Sequence, residues 1–180
     1  MKGQTANLRL DWVSYKAAKY ACESWHYSGC VPTSKTAKIG VWENDTFIGV
    51  VIFGVGANNN LVKPYGLENT EGCELNRVSL RDHITPVTKI VSIAIKMIKK
   101  QYPGLKLIVS FADTDQKHLG IIYQAGNWIY TGTTPTALFP IINGKKRHPR
   151  VVSLMIKAGT LKSRDELEWI KTGVKHRYLY

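Results

Sequence analysis

The chain has 180 residues, a net charge of +12 and a pI near 9.7, with 44% hydrophobic and 21% charged residues. This is ordinary globular composition for a single domain over 1–180, long enough to bury a full core, and every apolar run stops short of the ~20 residues a membrane-spanning helix needs. The basic balance favours a polyanionic partner: DNA, RNA or an anionic membrane surface.

The start, Met1 to Trp12, lacks an apolar segment, so no secretory signal is expected. Cys22, Cys30 and Cys73 are odd in number and widely spaced. They suit reduced thiols of a cytoplasmic protein better than a disulfide frame or a zinc site. Ser14 is placed to cap a helix over Tyr15–Trp25, with Trp12 and Val13 beside it as a staple. Lys38–Trp42 and Phe47–Phe53 read as strands joined by the turn residues Glu43 to Thr46. Residues 54–70, rich in Gly and Asn, read as a functional loop because compact domains seldom carry so long an unstructured connection.

Glu74–Leu80 alternates as a strand. Thr85 and Pro86 open the clearest helix, Thr85 as cap and Pro86 at the first helical position. Its apolar residues Val87, Ile90, Val91, Ala94, Ile95 and Ile98 recur at helical spacing, and Pro103-Gly104 ends it. A strand over Leu105–Phe111 follows directly, so the two flanking strands pair in parallel. Next come a short helix from His118 to Ala125, strands at Trp128–Thr131, Ala137–Ile142 and Val151–Ile156, and a last helix over Arg164–Lys171 behind a Ser163 capping box.

Chemistry concentrates between Ser110 and Gly132, where polar Ser110, Asp113 and His118 follow the end of an apolar strand. Such strand ends are where open α/β-type sheets place their sites. Tyr123, Asn127, Trp128 and Tyr130 add flat faces, which suits a planar substrate such as a nucleobase. Several motifs are missing: the third glycine of a dinucleotide fingerprint after Gly54 and Gly56, a Walker sequence, the zinc-deaminase pair, and the Asp/Asn-Pro-Pro-Tyr/Phe motif of adenine methyltransferases.

The order of elements, α+β with α/β-type features, resembles the GNAT acyltransferase fold: a mixed, mostly antiparallel sheet flanked by helices. Tyr123-Gln-Ala-Gly-Asn-Trp128 resembles that fold's tyrosine, glycine, aromatic signature, with Asn127 where glycine is usual. More specifically, Trp25-His-Tyr-Ser28, Lys38-Ile-Gly-Val-Trp-Glu43, Phe47-Ile-Gly-Val-Val51, Lys63-Pro-Tyr-Gly-Leu67, Glu74-Leu-Asn-Arg-Val78, Leu107 to Asp113 and Ile122 to Gly132 resemble the Mom family of bacteriophage DNA-modification proteins. The resemblance implies conversion of adenine in double-stranded DNA to a carbamoylmethyl (acetamido) derivative on the exocyclic amine, protecting phage DNA from host restriction. It also implies action in the host cytoplasm.

The resemblance implies that Asp113, Tyr123, Ser110, His26 and Tyr27 are catalytic candidates, each with a blander alternative. Asp113 can be a cap for the segment that follows, Tyr123 a core aromatic, Ser110 a strand end, and His26 a partner of the helix dipole. Tyr65, Glu74, Asn76, Arg77, Asn127, Trp128 and Tyr130 are candidates for substrate binding; by strand alternation Asn76 shares the face of Glu74 and Arg77 takes the other. Lys145, Lys146, Arg147 and Arg150 are candidates for DNA phosphates, with a solvated hairpin tip as the alternative; Lys171, Lys175 and Arg177 add to the basic balance. His83 and His148 read as exposed loop residues. A metal at His26, with Asp113 or His118, stays open, as does the oligomeric state.

The donor also stays open. Coenzyme A enzymes of the resembled fold usually carry a Gln/Arg-x-x-Gly-x-Gly/Ala loop around the pyrophosphate. Here Arg81 to Thr88 contains no glycine. Acetyl-coenzyme A, an aminoacyl-tRNA and a small amide all remain candidates. The alternative functions are a coenzyme A-dependent N-acetyltransferase of a small amine or protein, and a non-enzymatic basic DNA-binding protein.

Overall fold

A computed structural model describes residues 6–56, 60–147 and 149–180 of the chain. Its strands in chain order are β1 (Leu8–Trp12), β2 (Thr36–Glu43), β3 (Thr46–Gly54), β4 (Gly72–Leu80), β5 (Leu107–Asp113), β6 (Ile129–Thr133), β7 (Leu138–Ile142), β8 (Lys145–Lys146), β9 (Trp169–Lys171) and β10 (Lys175–Leu179). The helices are α1 (Tyr15–Trp25), α2 (Val87–Gln101), α3 (Ile121–Gln124) and α4 (Arg150–Lys157). The residues fall into two compact units, one running to Phe111 and taking in Gly120–Thr131 and Arg177–Tyr180, the other formed by Ala112–Leu119 and Gly132–His176.

The first unit is built on a sheet of order β1-β2-β3-β4-β5-β10-β6. The strands β1 to β4 are antiparallel, and β4 pairs with β5 in parallel across the α2 crossover. Ile108 and Tyr180 exchange both backbone hydrogen bonds, at 3.0 and 2.9 Å, which fixes β10 against β5. Asn44 and Asp45 both take positive φ, 50° and 62°, so the β2–β3 hairpin closes with a two-residue turn matched to strand twist. Buried Ile48 and Val50 to Phe53 make β3 an interior strand covered on both faces. Ser14 caps α1 as its side chain accepts the Ala17 N–H, and Ala18, Ala21 and Cys22 pack with Val31, Val50 and Ile52. Ile90, Val91, Ala94, Ile95 and Ile98 form the buried stripe of α2, matching their spacing in the sequence.

The second unit holds β7 between β8 and β9. Residues 151–156 form helix α4, not a strand. Val151, Val152 and Met155, the more covered side chains, recur at helical spacing, while Leu154 is 64% exposed. The expected last helix shrinks to one turn at Arg164–Glu166, with its capping box intact, and then Trp169–Lys171 pairs with β7. The expected helix from His118 is confined to α3, because Gly120 enters it with φ +74°. Pro86 stands one position earlier than expected, at the cap of α2. The loop after β3 includes a one-turn helix at Lys63–Tyr65, and its residues 57–59 lie outside the described residues.

Candidate functional site

The site grows out of the place where β4 and β5 part. Their pairing covers only Gly72 with Leu107, Cys73 with Ile108 and Glu74 with Val109. Beyond it β4 carries a bulge: Phe53 faces Leu75 and Ile52 faces Arg77, leaving Asn76 as the extra residue. A bulge bends its strand and re-aims side chains, so the simple alternation expected for Glu74, Asn76 and Arg77 does not hold through this point. Arg77 Nη1 donates to the Asn76 carbonyl at 2.7 Å. Asn76 Oδ1 and Arg77 Nε are buried without a hydrogen-bond partner among the described residues, one acceptor and one donor left over in the site wall. Gly54 and Gly56 let the loop after β3 run close over this wall: a Cβ at Gly54 would strike Asn76 Oδ1, and one at Gly56 would lie 3.1 Å from Glu74 Oε2.

Across the gap, Ser110 is fully buried, its Oγ 3.0 Å from the Leu75 carbonyl and 2.8 Å from the Tyr123 hydroxyl. Ser110 Oγ is the donor toward both, its single proton shared between the Leu75 carbonyl and the Tyr123 hydroxyl oxygen. Burial pushes the Tyr123 phenol up to about 12; the Ser110 hydrogen bond opposes this, and Tyr27, Glu74 and Tyr178 add to the rise. Tyr123 therefore keeps its proton at neutral pH.

The ring of Tyr123 is fixed by aromatic neighbours: Tyr178 stacked at 4.9 Å, and Trp128 edge-on at 5.1 Å. Trp128 also meets Tyr180, and half-exposed Tyr130 meets Tyr178. Buried Trp128 thus stands in the packing around Tyr123, and Asn127 takes φ +60°, the backbone conformation Asn shares with glycine. Tyr178 was missed in the sequence because His-Arg-Tyr-Leu-Tyr reads there only as a basic tail. Gly120 was missed too: besides its positive φ, a Cβ there would collide with the Tyr178 ring.

His26 is the C-cap of α1, its backbone N–H bonding to Cys22 O. Its Nδ1 accepts the Ser28 N–H at 3.1 Å and lies 2.8 Å from Ser28 Oγ, so the neutral ring carries its hydrogen on Nε2. The Tyr27 ring lies 4.3 Å from that of His26 and is 53% exposed. Tyr65 packs partly against the Val62, Val109 and Leu179 cluster. Burial pushes the Cys73 thiol up to about 12 and that of Cys22 upward as well, so neither is a ready nucleophile at neutral pH. Among the described residues no group of three or more His, Cys, Asp and Glu is arranged to hold a metal ion.

In the second unit Asp113 does what a cap does: Oδ1 accepts the Asp115 N–H at 3.0 Å, and Oδ2 lies 3.4 Å from Lys175 Nζ. The backbone N–H of His118 donates to the Asp113 carbonyl. Lys145 and Lys146 lie on β8 and not at a hairpin tip; the tip is Asn143-Gly144, both with positive φ. Lys145 and Arg147 are exposed, whereas Lys146 pairs with Asp115 at 3.4 Å and lies over the Phe139 ring. His148 and the Arg150 side chain lie outside the described residues. Arg177, in the first unit, is turned inward, donating to Thr131 Oγ1 and O.

The family model for the Mom protein family matches residues 7–180. The chain belongs to the Mom protein family. It is 26% identical to the methylcarbamoylase mom of Escherichia phage Mu over 180 residues, 96% of this chain and 74% of that protein. Solved structures share the fold at low identity. An aminoglycoside 6'-acetyltransferase type Ii aligns over 96% of both chains with TM-score 0.53 and 10% identity. An N-acetyltransferase from Staphylococcus aureus Mu50 aligns over 97% of both with TM-score 0.53 and 9% identity. A GNAT family acetyltransferase from Elizabethkingia anophelis, solved with acetyl-CoA bound, aligns over 96% of this chain and 97% of that one with TM-score 0.50 and 13% identity. The fold is therefore that of the GNAT acetyltransferases, and this Mom family member is a transferase. No helix among the described residues is long and apolar enough to cross a membrane.

Proposed function

We propose that residues 1–180 act as one domain that modifies adenine in double-stranded DNA on its exocyclic amine, giving a carbamoylmethyl derivative that shields phage DNA from restriction in the host cytoplasm. The observation that carries this reading is the buried Ser110–Tyr123 pair at the parting of β4 and β5 in a Mom family chain. In this reading the basic surface, with Lys145, Lys146, Arg147 and Arg150, holds the phosphates. The target base leaves the stack, at a cost of a few kcal/mol, and lies against Tyr27 and Tyr65. Asn76 Oδ1 and Arg77 Nε, the unpartnered acceptor and donor, orient polar edges of what binds there.

Adenine's amine is a weak nucleophile because its lone pair is delocalised into the ring. Alignment in a dry pocket must then supply much of the rate. Asp113 accepts the proton of the amine or orients it. Tyr123 holds its proton on Oη until the departing group takes it. Removing that proton alone tests the assignment. Tyr123→Phe should keep the fold and lower the yield of modified adenine by about 100-fold, the scale of one positioned acid. Wild-type yield from this variant would remove Tyr123 from the chemistry.

A further inference from the structure

The turn Arg81–Pro86 leads into α2, and acyl-coenzyme A enzymes of this fold hold the diphosphate of their donor at the equivalent turn. In this chain the turn is closed from within. Glu43, the last residue of β2, is only 7% exposed. Its Oε2 accepts the Ile84 N–H and its Oε1 the Thr85 N–H, both at 2.8 Å. The Thr85 hydroxyl adds a third hydrogen bond and, with the two amides, holds the carboxyl below the ordinary carboxylate range against the opposing effect of burial. The next residue, Pro86, has no amide to offer.

A diphosphate at this turn would need the amides that the carboxylate already engages. It would also bring negative charge against a buried carboxylate, where repulsion is poorly screened. The groove of about 400 Å³ beside the turn does not compensate: Arg81 lines it, but so do Glu43 and Asp82. The residues present do not fit coenzyme A in its usual grip. We infer that Glu43 is a built-in occupant of the anion-binding turn, and that this chain takes its transferred group from a donor not held there by a diphosphate. The inference rests on the proposed function only in assuming that a donor exists, and it is tested without DNA.

The probes are acetyl-coenzyme A and inorganic pyrophosphate, followed by calorimetry and by melting temperature. A ligand that binds the native state raises that temperature. Wild-type protein should show neither heat nor a shift with millimolar pyrophosphate. Glu43→Ala, which frees the two amides, should melt lower, and pyrophosphate should raise its melting temperature while leaving the wild type unmoved. Should Glu43→Ala fail to fold, Glu43→Gln removes the charge and keeps one acceptor oxygen; pyrophosphate should then stabilise it more than the wild type. Low-micromolar binding of acetyl-coenzyme A to the wild type, competed by pyrophosphate, would overturn the inference. So would an equal response of variant and wild type. Acetyl-coenzyme A binding that pyrophosphate does not compete leaves the closed turn standing, since the grip then lies elsewhere.

Discussion

At the scale of single residues, one substitution can separate the cap that Asp113 forms from the role of base proposed for it. Its carboxylate caps the turn at Thr114–Gln116 and pairs with partly exposed Lys175. An asparagine still offers a side-chain oxygen to the Asp115 N–H, and an ion pair whose lysine is half exposed, at 3.4 Å, contributes about 1 kcal/mol. Asp113→Asn should therefore melt close to the wild type. If the carboxylate works as the base, the yield of modified adenine should fall by at least ~100-fold. Unchanged yield in a mass-spectrometric nucleoside assay would leave Asp113 as a cap alone. The cap was visible in the sequence, where Asp113 ends an apolar run and precedes polar residues. The contact with Lys175 was not, because sequence order does not show which strands become neighbours.

At the scale of elements, two long-range contacts anchor pieces that the sequence left unlinked. Glu43 ties the end of β2 to the entry of α2. Its carboxyl is held below the ordinary value of 4.5, so the stability it contributes is present above that value and is lost as pH falls through its depressed folded value. Glu43→Gln should lower the melting temperature at neutral pH, and the gap to the wild type should narrow on acidification; a constant gap would contradict the assignment. Gly120 opens α3 and leaves room for the Tyr178 ring. Gly120→Ala adds a left-handed residue, ~1 kcal/mol or more, to a collision with a fully packed ring. Chemical denaturation should show a loss of several kcal/mol, and a loss under about 0.5 kcal/mol would contradict the packing described.

Elements with strong local signals were legible: α1 through its cap, α2 through its stripe, and the β2–β3 hairpin through its turn. The failures have physical causes. The run Val151–Ile156 is β-branched enough to suggest a strand, but its covered residues follow helical spacing in the second unit. β1 and β10 alternate over only five residues each, too short to stand out before their partners are known. The bulge at Asn76 leaves no mark in the sequence, because it exists only in the register against β3.

At the scale of the whole molecule, the net charge of +12 is the feature most directly tied to a polyanion. Binding to duplex DNA should weaken steeply with salt as counterions are released. Neutralising Lys145, Lys146 and Arg147 together should flatten the slope by roughly two to three units without changing sequence preference. Lys146, already paired with Asp115, should contribute least. An unchanged slope would take this segment off the DNA face. The most direct test of the central claim is the mass spectrum of nucleosides from DNA of cells expressing the wild-type chain. Modification of adenine predicts a carbamoylmethyl-deoxyadenosine peak that is absent from cells carrying an empty vector. Unmodified deoxyadenosine alone, in the presence of abundant folded protein, would contradict it.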